Sequence, residues 1–412
     1  MKYGLIGEKL GHSFSKEIHE ALADYTYELC ELVPGAVGEF LTRAEFSAIN
    51  VTIPYKETVI PYLDEIDEAA KVIGAVNCIL NDGGRLLGYN TDFFGVSSLL
   101  DKVGIDAGGK VTAILGTGGT SKTVKAVLMA KGAKRIITVS RTPNDDEIGY
   151  DELYAMASEV DIIVNTTPVG MYPRGDDVAV DVSHFPKLSG VIDVVYNPLR
   201  TRLISEAQEL GIPSEGGLYM LVAQAVRAVE IFTKKKLPED ACERVYNDIY
   251  NKKENIVLIG MPSSGKSTVG KYISEALGRE FIDTDEIATR IAGMPIPEVF
   301  KNYGEAKFRE IVEAEAVAEA ARLSGAVIAT GGGAILRDEN VKRLKRSGKL
   351  YFLDRPPEAL IPTDDRPLSS TRMAVVARYN ERYPIYTRVA NEIIDGDGTV
   401  GEVAERIIGK RR

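Results

Sequence analysis

Apolar residues recur along this chain in short, nearly unbroken runs, and stretches of helical spacing separate them. Runs of that kind, closed by turn residues, suit strands buried on both faces of a sheet. Strands are expected at 3–6, 111–115, 135–139, 161–165, 255–260 and 326–329. Helices are expected at 122–131, along the apolar stretch 218–232 and along a short amphipathic stretch that ends near Tyr250. Strand and helix alternate almost throughout, which predicts an α/β protein with parallel sheets.

Polar clusters stand at the expected strand ends of the first segment: His12-Ser13-Phe14-Ser15, Asn50-Val51-Thr52 and Asn90-Thr91-Asp92. A break rich in Gly, Asp and Lys at 104–110 precedes the next strand. If the apolar helix at 218–232 returns to the first segment, a discontinuous domain, 1–100 plus 216–250, surrounds an inserted domain at 101–215. Asn251-Lys252-Lys253-Glu254 is the expected linker, and 255–412 the last domain. No internal repeat or low-complexity tract interrupts this order.

Composition narrows the class. At 412 residues the chain is too long for one ordinary domain. Its 44% hydrophobic and 27% charged residues are those of a globular protein. A net charge of -10, spread along the chain, argues against nucleic acid as the main partner. No apolar run is long enough to span a bilayer and no signal peptide opens the sequence, so no membrane is expected. Cys30, Cys78 and Cys242 are isolated, and His12, His19 and His184 lack zinc-ligand spacing. A cytoplasmic enzyme, monomer or homodimer, is the expectation.

Two glycine loops carry the chemistry. Gly116-Thr117-Gly118-Gly119 follows the strand at 111–115 and opens a helix, which aims backbone N–H groups at a pyrophosphate. Ser121 stands where the general fingerprint has its third glycine. One strand later, Ser140-Arg141-Thr142 replaces the acidic residue that would hold the ribose hydroxyls of NAD. An arginine flanked by hydroxyls suits a 2′-phosphate, so NADP(H) is the expected cofactor. The second loop, Gly260-Met261-Pro262-Ser263-Ser264-Gly265-Lys266-Ser267 and then Thr268, is a P-loop at every required position. Its N–H groups cradle phosphates, Lys266 reaches the β- and γ-phosphates, and the Ser267 hydroxyl coordinates Mg²⁺, so ATP and Mg²⁺ are expected.

The first 250 or so residues resemble shikimate dehydrogenase. The matching segments are Gly11-His12-Ser13-Phe14-Ser15, Asn50-Val51-Thr52-Ile53-Pro54-Tyr55-Lys56, Gly74-Ala75-Val76-Asn77, Gly88-Tyr89-Asn90-Thr91-Asp92, Asn165-Thr166-Thr167-Pro168, Tyr196-Asn197-Pro198 and Met220-Leu221-Val222-Ala223-Gln224-Ala225. The resemblance implies a two-domain dehydrogenase, an α/β substrate domain plus a Rossmann NADP domain. It implies Lys56 and Asp92 as the catalytic pair, the lysine supplying a proton to the developing alkoxide and the aspartate orienting it. Ser13, Ser15 and Thr52 would bind the substrate carboxylate, Asn77 and Gln224 the ring hydroxyls, with the Tyr196 hydroxyl nearby. Thr166 would stand beside the cofactor.

Residues 255 to about 410 resemble shikimate kinase, which implies a P-loop NTPase-type domain with a central parallel sheet. Asp283-Thr284-Asp285, after an apolar strand, sets two carboxylates on one side of an extended segment. The resemblance implies Asp283 near Mg²⁺ and Asp285 on the attacking hydroxyl. Arg309, in Gly304-Glu305-Ala306-Lys307-Phe308-Arg309, and Arg382, in Arg382-Tyr383-Pro384-Ile385-Tyr386, would clamp the substrate carboxylate. Gly331, Gly332 and Gly333 would let backbone approach the ring, and Arg366, in the lid-like Arg366-Pro367-Leu368, would reach the transferring phosphoryl group.

Some positions depart from the two families. Ser140 replaces an expected asparagine, and the segment 354–365 is shorter than the usual lid, with no arginine upstream of Arg366. Val312 stands third after Arg309, where a supporting glutamate is common, and Glu313 lies one place further on. The expected enzyme is bifunctional, making shikimate from 3-dehydroshikimate with NADPH and phosphorylating its 3-hydroxyl with ATP. The alternative is an NAD-dependent quinate/shikimate dehydrogenase fused to a non-catalytic, nucleotide-sensing module.

Overall fold

The structure, a computed structural model, describes residues 1–11, 13–360 and 371–411. The chain divides into two compact units, Met1–Tyr250 and Asn251–Arg412.

The first unit holds two sheets. Six strands form the first: β1 Tyr3–Gly7, β2 Tyr27–Glu31, β3 Ala48–Val51, β4 Glu65–Ile66, β5 Cys78–Asp82 and β6 Arg85–Tyr89, in the order β2-β1-β3-β5-β6-β4. Strands β1, β2 and β3 are parallel, whereas β5 runs antiparallel to both β3 and β6. That reversal positions the site. The chain leaves β3 at Thr52, enters β5 from Asn77 and leaves β6 into Asn90-Thr91-Asp92, all at one edge, because Asn50 pairs with Cys78 and Cys78 with Tyr89.

The second sheet is wholly parallel: β7 Val111–Leu115, β8 Arg135–Val139, β9 Ile162–Asn165, β10 Gly190–Asp193 and β11 Ser214–Glu215, in the order β11-β10-β9-β7-β8. Alternate side chains feed opposite cores, as the strand period of two requires. Ala113 and Leu115 pack with Leu153, Val180 and Leu203 on one face; Ile114 packs with Val124, Val127 and Leu99 on the other. The order reverses between β7 and β9, the switch point where doubly wound sheets bind ligands.

Helix Leu218–Thr233 does return to the first sheet, since Ala228 and Phe232 pack with Leu5, Tyr27 and Ala48. The boundary expected at residue 100 falls inside helix Asp92–Val103, whose Val96, Leu99 and Leu100 join the core of the second sheet. Residues 251–253, expected as linker, are helical, the last residues of Ala241–Lys253. Three lysines or asparagines in a row look like a linker, but good i, i+4 packing upstream carries the helix through them.

The second unit is a parallel sheet of β12 Asn255–Ile259, β13 Phe281–Asp283, β14 Val327–Ala329, β15 Gly348–Asp354 and β16 Glu392–Asp395, in the order β13-β14-β12-β15-β16. Strand β12 is buried along its whole length. Its Ile256 and Leu258 pack with Val269, Ile273 and Val403, and its Val257 and Ile259 with Val317, Leu344 and Val389. Helices therefore cover both faces, and the P-loop leaves the central strand. Among the described residues no helix is long and apolar enough to cross a membrane.

Candidate active sites

In the first unit the Lys56 ammonium donates to Asp92 Oδ2 at 2.6 Å, with side-chain exposures of 15% and 8%. A pair so little solvated is held by its surroundings. Asp92 opens helix Asp92–Val103, whose dipole favours a carboxylate there. Asn77 fixes the preceding residue: its Oδ1 accepts from the Thr91 N–H at 2.7 Å and its Nδ2 donates to Thr91 Oγ1 at 3.1 Å. Gln224, from helix Leu218–Thr233, joins through Oε1, 3.1 Å from Thr91 Oγ1 and 3.4 Å from Asn77 Nδ2. Thus Lys56, Asp92, Asn77 and Gln224 come together, with Thr91 as a hub to which the sequence pattern assigns no role.

A second group follows β1. Ser15 N–H donates to Ser13 Oγ at 3.2 Å, and the two hydroxyls lie 3.0 Å apart. The Phe14 ring meets that of Tyr196 at 5.2 Å, which brings Tyr196 to this turn; burial pushes its phenol up. Thr52 leaves β3 beside β1, its N–H bonded to the Ile6 carbonyl. His12 lies outside the described residues.

At the switch point Gly116 has φ 104°, and a Cβ there would come within 2.9 Å of Thr167 and 3.0 Å of the Thr166 hydroxyl. Only glycine fits both the turn and the close approach. Thr166 is tied back: its hydroxyl donates to the Leu115 carbonyl at 2.7 Å. Helix Gly119–Ala130 starts three residues before the expected position, with Gly118 as N-cap, so Gly119 lies in its first turn. Open space adjoins both glycines where a Cβ would stand, which fits a pyrophosphate on the helix N-terminus. Ser140 Oγ accepts from Thr142 N–H at 3.3 Å, and this turn presents Arg141 exposed. Nearby, Asp193 is buried and accepts from Asn165, Val195 and Thr201; burial pushes its carboxyl up to about 7 against those three bonds.

In the second unit a cavity of about 670 Å³ joins the P-loop to the sequence-predicted acceptor residues. Ser263 (φ 64°) and Gly265 (φ 91°) turn the loop through left-handed positions, and Lys266 donates to the carbonyls of Gly260 and Met261 at 3.0 and 2.9 Å. Gly260 is required where it stands, since a Cβ would lie 2.9 Å from both the Leu353 carbonyl and Ser264 Oγ. Thr268 lines the cavity beside Ser267. The Ser267 hydroxyl donates to Asp283 Oδ2 at 2.7 Å. A hydroxyl and a carboxylate so placed fit Mg²⁺, which takes one or two protein oxygens and the phosphates of its nucleotide. Among the described residues no cluster of three or more His, Cys, Asp or Glu could hold a metal by itself.

Asp285 corrects an expectation. Asp283 ends β13 and caps helix Thr284–Ala292 by accepting from the Asp285 N–H at 3.0 Å, so Asp285 stands on the helix's first turn, not on an extended segment. Both aspartates still line the cavity. The three glycines wrap it closely: a Cβ on Gly331 would lie 2.5 Å from Asp285 Oδ1, on Gly332 2.8 Å from Pro262, and on Gly333 1.7 Å from Arg309 Nη1. Arg378, Arg382 and Tyr386 recur every fourth residue on helix Arg372–Val389. Arg382 donates from Nη1 to the Gly332 carbonyl at 3.0 Å, while its buried Nε has no partner among the described residues. Arg378 and Tyr386 were missed, although their i, i+4 spacing from Arg382 was legible.

The displaced glutamate still reaches the arginine. Residues Phe308–Glu313 form a π-helical turn, which absorbs one extra residue within a helix. Glu313, four residues on from Arg309, meets its Nη1 at 3.1 and 3.2 Å, as i, i+4 neighbours on a helix can. Burial pushes Glu313 up to about 7, Arg309 pulls it down and Asp285 pushes it up again. Arg366-Pro367-Leu368 and residues 361–365 lie outside the described residues.

Both units are similar to known proteins. The chain matches the shikimate dehydrogenase substrate binding domain at residues 5–79 and the shikimate 5'-dehydrogenase C-terminal domain at 217–245. It is 38% identical over 264 residues to a shikimate dehydrogenase (NADP(+)) of Clostridium beijerinckii, covering 60% of this chain and 98% of that protein. The chain belongs to the shikimate dehydrogenase family. Residues 262–411 match the shikimate kinase family, so a kinase domain follows the dehydrogenase. Among solved structures, shikimate 5-dehydrogenase of Thermus thermophilus with NADP(H) and shikimate is 28% identical, with a TM-score of 0.55 over 60% of this chain and 99% of that one. Quinate dehydrogenase of Corynebacterium glutamicum with NAD is 27% identical, TM-score 0.53, over 60% and 97%.

Proposed function

We propose that the first unit reduces 3-dehydroshikimate to shikimate with NADPH, and that the second transfers the γ-phosphoryl group of ATP to the 3-hydroxyl of that shikimate, in the cytoplasm. The observation that carries the reading is one continuous cavity lined by Lys266, Arg309 and Arg382. A phosphate held at Lys266 and a carboxylate held at Arg309 and Arg382 would then lie within reach of one small acid, the acid that the dehydrogenase reading also uses.

The cofactor of the first unit supplies the hydride when bound. Lys56 gives a proton to the ketone oxygen as charge builds there, and Asp92, 2.6 Å away, keeps the ammonium aimed. Asn77 and Gln224 offer amide groups to ring hydroxyls, which need partners once buried. Ser13, Ser15, Thr52 and Tyr196 offer hydroxyls to the carboxylate end. Gly116, Gly118 and Gly119 would hold the pyrophosphate and the Ser140–Thr142 turn the 2′-phosphate.

In the second unit Lys266 and the loop N–H groups would hold the phosphates, and Ser267 with Asp283 would hold Mg²⁺, which supplies charge neutralisation. Asp285 takes the proton of the attacking hydroxyl. Arg309 and Arg382 clamp the carboxylate against Gly331, Gly332 and Gly333.

Cofactor choice separates this reading from the NAD-using alternative, to which the quinate dehydrogenase likeness gives weight. Arg141→Ala is expected to raise the KM for NADPH about tenfold, the worth of one charge-assisted contact, and to change that for NADH less than twofold. Equal effects on both, or a wild type that prefers NADH, would remove NADP from the reading. ADP release that requires added shikimate distinguishes a kinase from a nucleotide-sensing module.

A further inference from the structure

Two carboxylates of unlike character hold Arg309. Glu313 is buried, its side chain 5% exposed, and it meets Nη1 with both oxygens at 3.1 and 3.2 Å. Glu305 stands on the first turn of the same helical segment, its side chain 37% exposed, and one oxygen, Oε1, accepts from Nε at 2.8 Å and from Nη2 at 2.5 Å. The Nη1–Nη2 side is closed by backbone, because a Cβ on Gly333 would fall 1.7 Å from Nη1 and 2.5 Å from Nη2. Glu305 occupies the Nε–Nη2 edge of the guanidinium.

We propose that Glu305 is a tethered competitor for the acceptor's carboxylate, so that only an acid able to displace it gains Arg309. The proposal deepens the kinase reading and rests on it. The exchange is feasible on geometry. A ligand carboxylate can set two oxygens against the two N–H groups, a fork-on-fork pair, whereas Glu305 shares a single oxygen between them. Glu305 is also partly solvated, and ion pairs of that kind are weak. Glu313 has no such freedom and stays as the fixed support. A neutral polyol lacks the charge to dislodge Glu305 and meets an arginine already paired, which gives the pocket a preference for acids beyond the arginine's own attraction.

Glu305→Gln tests this on the intact chain, with shikimate-dependent ADP release as the assay. The variant is expected to lower the KM for shikimate three- to tenfold and to leave kcat and the KM for ATP within twofold of wild type. The unchanged KM for ATP reports that the kinase unit is folded, and the methyl ester of shikimate should gain nothing. A KM for shikimate that rises makes Glu305 a support of Arg309 and overturns the proposal, as does one that stays put. Wild-type protein without shikimate-dependent turnover would remove the kinase reading and the competitor with it, whereas an active wild type with an unimproved variant removes the competitor alone.

Discussion

Replacing Lys56 by alanine should reduce ketone reduction by about 10²–10⁴-fold, the range for loss of a positioned general acid, while shikimate-dependent ADP release stays within twofold of wild type. Two effects add in the reductase. The proton donor to the forming alkoxide is gone, and Asp92, its side chain 8% exposed, is left without its ammonium. Stranding a buried charge costs about 3–5 kcal/mol, and water drawn in around the carboxylate does not restore the donor. The loss should appear in kcat, because Asn77, Gln224 and the serines remain to bind substrate. NADPH oxidation followed at 340 nm, with ADP release on the same preparation, measures both halves. A variant that keeps more than a tenth of its kcat would remove Lys56 from the chemistry; one that loses both activities would mean misfolding or coupling of the units.

Lys266→Ala should do the reverse, lowering phosphoryl transfer by about 10²–10³-fold, the effect of deleting one preorganised charge from the transition state, with reduction intact. Lys266 is buried and tethered to the Gly260 and Met261 carbonyls at 3.0 and 2.9 Å. Its loss therefore removes the cation and also loosens the loop that presents the N–H groups, so the KM for ATP should rise with the fall in kcat. An unchanged KM for ATP and a full kcat would place the nucleotide elsewhere.

Much of this was legible because the parallel strands are buried on both faces. Strands 111–115 and 135–139 were expected to the residue, since an unbroken apolar run closed by glycine or a polar cluster has few other uses in a doubly wound sheet. Two-residue strands such as Glu65–Ile66 and Ser214–Glu215 carry no periodicity and were not anticipated. The site was legible in its polar members and less so in its geometry. Asp285 looked extended because an apolar strand precedes it, but Asp283 caps a helix at that point, a competition between strand end and N-cap that local pattern does not resolve. The Val312–Glu313 shift looked like a lost support. An i, i+4 pair meets on a helix face as an i, i+3 pair does, so Glu313 supplies the support that Val312 does not. Thr91 went without a role because a threonine between two stronger residues has no pattern of its own; its importance comes from Asn77 and Gln224, brought in by β5 and by a helix far along the chain.

One chain is expected to carry shikimate through two reactions. Incubating the intact protein with 3-dehydroshikimate, NADPH, ATP and Mg²⁺ and following shikimate 3-phosphate tests it most directly. The phosphate should accumulate, with NADPH consumed and ADP released mole for mole. Leaving out ATP should stop the sequence at shikimate, and leaving out NADPH should stop it before shikimate forms. Shikimate that accumulates unphosphorylated in the presence of ATP and Mg²⁺ would contradict it.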